Sequence, residues 1–171
     1  GSPPPPLDTW VDTRTLLAHC VEEAGSLSGL LSSEPHAISC DVAGPGLLAG
    51  AEAELLSAMA NLVHNAVRYT PGGGRVEIAW RHLPDGQGEF SVSDSGPGIA
   101  PEHLPRITER FYRVDRSRSR ETGGTGLGLA IVKHVAQRHG AQLLIDSVLG
   151  RGSRFAIRFP ATRVREKVSA D

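Results

Sequence analysis

"TGGTGLGLAIVKHV", residues 122–135, places four glycines within six positions and then continues as an apolar run. Glycines before a helix allow backbone N–H groups to point at a phosphate. A P-loop has Lys and then Ser or Thr after its last glycine, whereas Leu129 and Ala130 follow Gly128. A dinucleotide fingerprint has a third glycine where Leu129 stands, directly after a buried strand. The stretch therefore predicts a phosphate-binding helix start of another kind.

The segment before this helix is rich in arginine. Six arginines lie between Arg106 and Arg120, against Glu109 and Asp115. Such a run is usually a solvated loop, but beside a glycine-rich helix start it can also face an anion. The net charge of the whole chain is only −1. That balance gives no indication of binding to nucleic acid or to a membrane surface.

Length and composition predict one domain with a buried core in 171 residues. Within residues 1–8, the initial Gly-Ser is interpreted as an expression scar and the prolines as an extended linker, before a domain at 9–162 and a tail at 163–171. Cys20 and Cys40 fit no metal spacing and no disulfide framework, so we expect reduced thiols in a cytoplasmic domain. We also expect this domain to be a piece of a longer protein.

The rest of the chain alternates helical and strand patterns. Periodicity predicts helices over 9–25, 51–69 and 125–139, and strands over 36–43, 75–83, 89–95 and in a hairpin over 141–160. Residues 96–122 form an irregular stretch that is too long for a simple connection. We predict an α+β fold, a two-layer sandwich whose mixed, mostly antiparallel sheet is covered by helices on one face.

The helix predicted over 51–69 has two different faces. Its apolar stripe is made of Leu55, Met59, Leu62, Val63 and Ala66. Asn61, Asn65 and Arg68 fall together on the opposite side. Asparagine is disfavoured inside helices because its side chain competes with the backbone, and its amide oxygen suits Mg²⁺. The pair indicates either magnesium ligands or a polar surface without a task, and the helix alone does not decide.

The stretch "DSGPGI", residues 94–99, follows a predicted strand. Glycines on both sides of a proline let the backbone approach a flat ligand. Asp94 can accept a hydrogen bond from an exocyclic amine. Taken alone, the stretch is better explained as a tight turn in which the aspartate bonds its own backbone.

Four motifs then occur in order, "NLVHNAVRYT", "DSGPGI", "RFYRVD" and "GGTGLGLAIVKH", followed by "GSRFAIRFP". This set resembles the N, G1, F and G2 boxes of the catalytic ATP-binding domain of sensor histidine kinases. That domain is a branch of the GHKL superfamily and has the Bergerat fold. The resemblance spans residues 52–160. Within the family, "ERFYRVDRSRSRETGGTGLGLAIVKH" is most similar to phosphate-responsive sensor kinases of the PhoR type.

The resemblance implies where ATP and Mg²⁺ would bind. Asn65 would hold Mg²⁺ through its side-chain oxygen, and Asn61 would support the ion or the phosphates. Arg68 would lie near the phosphates in place of a usual lysine, and Tyr69 would stack on the adenine. Asp94 would accept from the adenine 6-amino group, which favours ATP over GTP because guanine has a carbonyl there.

The resemblance also assigns the remaining nucleotide contacts. Gly96, Gly98 and Ile99 would pass close to the base. Phe111 would anchor a flexible lid, and Arg113 would reach the γ-phosphate. The start of the last helix would line the phosphates with backbone N–H groups of Gly124, Thr125, Gly126, Leu127 and Gly128.

The chemistry implied is phosphoryl transfer rather than hydrolysis. Relatives that hydrolyse ATP have a glutamate one turn before the magnesium-binding asparagine, whereas this chain has Asn61, and an amide is not a general base at neutral pH. We expect Asn65 and Arg113 to act by positioning and by neutralising charge. A nucleotide-sensing module without chemistry and a GHKL ATPase are the alternatives.

The phosphate-accepting histidine is expected in another domain, since none of the seven histidines lies in a phosphoacceptor-like context. His64, His134 and His139 are predicted to lie on helix surfaces. The expected partners are a dimerisation and histidine-phosphotransfer domain and a response regulator, with no nucleic acid and no direct membrane contact. We expect the isolated domain to be monomeric and the whole protein to be anchored in the inner membrane.

Overall fold

The computed structural model describes residues 3–44, 46–110, 112 and 128–166. Three α-helices lie within these ranges, namely α1 (Thr13–Leu31), α2 (Glu52–Tyr69) and α3 (Gly128–Arg138). The strands of the described chain are β1 (Trp10–Asp12), β2 (Ala37–Ala43), β3 (Gly46–Ala49), β4 (Arg75–His82), β5 (Gly88–Asp94), β6 (Gln142–Val148), β7 (Gly152–Phe159) and β8 (Val164–Glu166). Short 3₁₀ turns occupy Leu104–Arg106 and Ala161–Arg163.

The main sheet has five strands in the order β2-β4-β5-β7-β6. β2 runs parallel to β4, and the other neighbours are antiparallel. Helix α2 packs between α1 and α3, and the three helices contact strands of this sheet. The predicted two-layer sandwich with a mixed, mostly antiparallel sheet is confirmed. The strands at 36–43, 75–83, 89–95 and 141–160 agree with the observed ones within a few residues.

Side-chain alternation places the core between the sheet and the helices. On β4, Val76, Ile78 and Trp80 are almost completely buried, whereas Glu77 between the first two and Arg81 after the third are exposed. This period of two is expected of a strand with one buried face. The predicted apolar stripe of α2 is confirmed, since its members are at most 3% exposed: Leu55, Met59, Leu62, Val63 and Ala66.

The first helix differs from its prediction at both ends. Residues 10–12 form β1, and Asp12 caps α1 by accepting a hydrogen bond from Arg14 N at 2.8 Å. Gly25, the predicted helix end, lies inside α1. A glycine costs a helix about 1 kcal/mol, but Ala24 and Ser28 on either side of it are buried against the core. Tertiary packing therefore carries the helix on to Leu31.

A second, three-stranded antiparallel sheet has the order β1-β3-β8. Its outer strands have three residues each, too few to show a period in the sequence. β8 lies within the segment predicted as a tail, and the Arg165 guanidinium lies 3.9 Å from the ring centroid of Trp10. The first described residues also contact the domain, because Arg163 donates to Pro5 O at 2.7 Å and Arg138 donates to Pro3 O at 3.0 Å.

No helix in the described ranges has the combination of length and apolar composition that crossing a bilayer requires.

His139 corrects one prediction, since it was expected on a helix surface and is completely buried. Its Nδ1 lies 2.8 Å from Val135 O, and its Nε2 lies 3.2 Å from Ala51 N. A carbonyl only accepts and an amide N–H only donates, so the ring is neutral, with its proton on Nδ1. Burial lowers the pKa of His139, and the hydrogen bond to Val135 opposes this.

The stability of the fold should consequently fall in mild acid. A histidine with a lowered pKa in the folded state contributes its full stability above its unfolded pKa of about 6.5, and this contribution is lost as the pH falls below that value. We expect the free energy of unfolding, measured with urea at pH 7.5 and at 5.5, to drop less in His139→Gln than in the unmodified chain. An equal drop in both proteins would contradict this assignment.

Candidate functional site

The ends of α2 and β5 meet at Gly96. A Cβ on this residue would lie 2.9 Å from Tyr69 O and 3.0 Å from Asp94 Oδ1. Any side chain at this position would therefore collide with both elements. The structure thus brings together Tyr69, Asp94 and Gly96, which the sequence predicts for one site from two separate motifs.

Asp94 is held in a fixed orientation at the end of β5. Its Oδ1 accepts hydrogen bonds from Gly96 N at 2.9 Å and from Ser153 N at 3.3 Å. Burial raises the pKa of Asp94, and the two backbone N–H groups act in the opposite direction. Both of these bonds use Oδ1, so the carboxylate is oriented by its backbone contacts and Oδ2 is the oxygen suited to an external donor.

The loop after Asp94 is fastened to the end of β6 and to the turn that follows it. Ile99 N donates to Ser147 Oγ at 2.7 Å, and Gly150 N donates to Pro97 O at 2.7 Å. Gly98 has a φ of +77°, a conformation that favours glycine. The predicted residues Gly98 and Ile99 therefore belong to a braced loop next to Asp94 rather than to a free turn.

The polar face of α2 meets the start of α3. Asn61 Nδ2 donates to Ser57 O at 2.7 Å, which turns Oδ1 outward from its own helix. A Cβ on Gly128 would lie 3.0 Å from Asn61 Oδ1. Asn65, one helical turn later, is half-buried on the same face. Two predicted motifs, the asparagine face and the glycine-rich helix start, are thus in contact.

Arg68 lies half-buried near the end of α2. Its Nε is buried and has no hydrogen-bond partner among the described residues. A buried guanidinium N–H without a partner is costly, and an anion would satisfy it. This position is consistent with the predicted place of Arg68 near phosphates. His64, which precedes Asn65, instead pairs with Glu23 of α1 at 2.8 Å.

Six of the predicted site residues lie outside the described part of the chain, so their assignments remain predictions. They are Phe111, Arg113, Gly124, Thr125, Gly126 and Leu127.

The amide oxygens of Asn61 and Asn65 fit a nucleotide-bound magnesium ion better than a metal ion bound by protein ligands alone. Within the described ranges, no group of three or more His, Cys, Asp and Glu residues could hold a metal ion. Asn61 Oδ1 faces the start of α3, where a phosphate chain would lie, and Asn65 is placed one turn away. Mg²⁺ typically takes one or two protein oxygens together with substrate phosphates and water.

Sequence reasoning missed Thr70, Ser147 and Ser153. Each is a small hydroxyl residue whose neighbours in the site come from distant segments, as in the contact of Ser153 N with Asp94. Thr70 alone carried a local signal, because it directly follows Tyr69 in the first motif.

Comparison with known proteins agrees with this geometry. Residues 50–163 match the family described as histidine kinase-, DNA gyrase B-, and HSP90-like ATPase. The phosphate regulon sensor protein PhoR of Pseudomonas aeruginosa is 54% identical over 157 residues, which cover 91% of this chain and 34% of that protein. The chain thus spans about a third of this relative. The predicted similarity to phosphate-responsive sensor kinases is confirmed.

Two solved structures are also similar. The mycobacterial sensor histidine kinase MprB has a TM-score of 0.74 and 30% identity, covering 89% of this chain and 97% of that one. Full-length ShkA in complex with AMPPNP has a TM-score of 0.74 and 30% identity, covering 89% of this chain and 30% of that one.

Proposed function

This chain belongs to the histidine kinase-, DNA gyrase B- and HSP90-like ATPase family, and from that premise we propose that it binds Mg·ATP and supplies the γ-phosphate to a histidine. The histidine would lie on a separate dimerisation and phosphoacceptor domain, for relay to an aspartate of a response regulator. This proposal describes the catalytic ATP-binding domain of a two-component sensor kinase.

The observation that supports this proposal best is that one helix, α2, contributes to both halves of the site. Tyr69, the last residue of α2, lies beside Asp94 and Gly96 in the first half of the site. Asn61, eight residues earlier and so about 12 Å away along the helix axis, lies at the start of α3. A purine beside Asp94 and a triphosphate beside Asn61 would make the contacts predicted for the DSGPGI motif and for the asparagine face of α2.

Asp94 is suited to select the base. Partial burial raises the pKa of this carboxyl group, and the backbone donors that oppose this rise hold Oδ1 in place. Oδ2 would accept from the adenine 6-amino group, and guanine would present a carbonyl oxygen to the same atom. Two acceptors facing each other repel, so the site should reject GTP.

Asn65 and Asn61 would hold the magnesium ion, which when bound neutralises phosphate charge. Arg68, with its unsatisfied buried Nε, would add a fixed positive charge near the phosphates. Arg113 and the glycine-rich segment 124–128 would complete the phosphate contacts. In this arrangement the chain's own residues bind and orient the triphosphate and provide no general base from Asn61.

The relatives support the transfer step and the partners. Both PhoR and MprB are named as sensor proteins or sensor histidine kinases, and the ShkA structure is a complex with AMPPNP, an ATP analogue. By analogy, the whole protein would be a membrane-anchored sensor, with this domain in the cytoplasm, that signals through a response regulator.

Calorimetric titration of the 171-residue chain tests nucleotide binding. We expect saturable binding of ATP with Mg²⁺, weaker binding with EDTA, and GTP affinity at least about tenfold lower than ATP affinity. Equal affinity for GTP would contradict the role of Asp94. Failure to bind ATP at all would contradict the proposed function.

A further inference from the structure

A cavity of about 650 Å³ lies at the carboxyl end of α3. Its lining consists of residues 4–7, residues 137–140, Pro160, Thr162 and Arg163. This volume falls within the range of small-molecule binding sites. The described residues that we assign to the nucleotide do not line this cavity, so it is a different place from the proposed ATP site.

One wall of the cavity is apolar and fixed in place. Residues 4–7 are three prolines and Leu7, and Pro160 also lines the cavity. Prolines have no N–H group, so this wall has few donors for a polar ligand. Its position is held by Arg163, which donates to Pro5 O at 2.7 Å, and by Arg138, which donates to Pro3 O at 3.0 Å.

Arg163 is a buried cation in the lining of this cavity. It is 6% exposed, and its Nη1 and Nη2 donate to Ala49 O and Pro5 O. Both acceptors are neutral carbonyls, and within the described ranges this guanidinium forms no ion pair with a carboxylate. Burial lowers the pKa of Arg163, because the surroundings do not compensate its charge. Buried charges in proteins are usually paired.

The neighbouring charges leave this cation uncompensated. Arg138 is paired with Glu54 through two hydrogen bonds, of 2.7 Å from Nε and 3.1 Å from Nη2. His139 is neutral, as its hydrogen bonds to Val135 and Ala51 require. Of the described residues that line the cavity, Arg138 and Arg163 carry a permanent charge. The excess positive charge at the cavity is therefore that of Arg163.

We propose that this cavity binds a small organic anion, with a carboxylate beside Arg163 and an apolar body against the proline wall. The two bonds to carbonyls leave the Nε–H group and one hydrogen on each Nη of Arg163 as donors. Hydrogen bonds between a guanidinium and a carboxylate are among the stronger ones in proteins. The site is independent of the proposed ATP-binding function.

Titration of the 171-residue chain with benzoate, followed by ¹H–¹⁵N NMR, tests the site. We expect saturable shifts of the backbone amides of residues 137–140 and of the Arg163 Nε–H signal, with a dissociation constant of about 1 mM. Benzamide, which has no charge, should bind at least about tenfold more weakly, and inorganic phosphate, which has no apolar body, should also bind more weakly. Absence of these shifts, equal affinity for benzamide, or tighter binding of phosphate would each overturn the inference.

A charge at the rim of the cavity tests the same contact without disturbing Arg163. Gln137 is exposed, and Gln137→Glu adds a negative charge beside the proposed carboxylate, which should weaken benzoate binding at least about threefold. The matched control is Gln142→Glu, at an exposed position of β6, whose benzoate affinity should equal that of the unmodified chain. Urea unfolding checks that both variants are folded. Equal benzoate affinity of the two variants would overturn the inference.

Two further titrations identify where the anion binds. Benzoate affinity should be unchanged in saturating Mg·ATP, and competition between the two would place the anion at the nucleotide site and overturn the inference. A chain that ends at Glu166 should bind benzoate like the unmodified chain. Benzoate binding only after this truncation would assign the cavity to a carboxylate of residues 167–171 and would also overturn it. Binding of benzoate without binding of ATP would support this inference and contradict only the proposed function.

Discussion

Asp94→Asn should weaken ATP binding by between about 10- and 100-fold, the range expected for a lost hydrogen bond to a charged group. Oδ1 of Asp94 accepts from the backbone N–H groups of Gly96 and Ser153. An asparagine would keep its oxygen toward these donors, which leaves its NH₂ group in the place of Oδ2. Two donors, the side-chain amide and the adenine 6-amino group, would then face each other.

The matched control is Asp146→Asn, the same substitution at an exposed position of β6. Its ATP affinity should equal that of the unmodified chain, and urea unfolding should show that both variants are folded. Calorimetry with Mg·ATP measures the affinities. Unchanged binding by Asp94→Asn would mean that the base lies elsewhere.

Long periodic elements were predictable from the sequence because their local pattern and their packing agree. The stripe from Leu55 to Ala66 is continuous over three turns of α2, so one face had to be buried. The strand at 75–82 alternates in the same consistent way, and the central strand at 88–94 is a run of five buried residues followed by two half-buried ones. Where a local signal conflicts with packing, as at Gly25, the packing prevails and the local signal misleads.

Burial that depends on a distant segment was not predictable. His139 follows the last turn of α3, where a helical pattern indicates an exposed residue. It is buried because it covers Gly50, where a Cβ would lie 2.7 Å from the ring, and because its Nε2 accepts from Ala51 N. The small sheet of β1, β3 and β8 was missed for a related reason, since it joins segments from the two ends of the described chain.

The site likewise contains residues that the sequence motifs predicted and residues that they did not. The motifs predicted that Asp94 and Gly96 would lie near Tyr69, and Asn61 near Gly128, and the structure brings these pairs together. Thr70, whose Oγ1 lies beside Gly96, was missed because a threonine after a helix is also an ordinary helix end. Its orientation depends on contacts with His36 and Gly74, residues that carry no local signal for a site.

The second large expected effect is a loss of phosphoryl transfer. Its measurement needs a separate phosphoacceptor fragment. We would take this fragment from the Pseudomonas aeruginosa relative, in which the proposed function expects a dimerisation and phosphoacceptor domain, because this chain is 54% identical to that protein over 157 residues. Asn65→Ala should reduce transfer to the fragment at least about a hundredfold, because the amide oxygen that we propose positions the ion is lost. Calorimetry of the same variant locates the defect in transfer if the variant is folded and still binds ATP, and Asp146→Asn, at an exposed position of β6, is the matched control that should transfer normally.

The most direct test of the account is incubation of the chain with γ-labelled ATP, alone and with that fragment. We predict no acid-labile label on the isolated chain, and label on the added fragment that disappears when its acceptor histidine is replaced by glutamine. Stable label on the isolated chain, or ATP binding without any transfer to the fragment, would contradict the account.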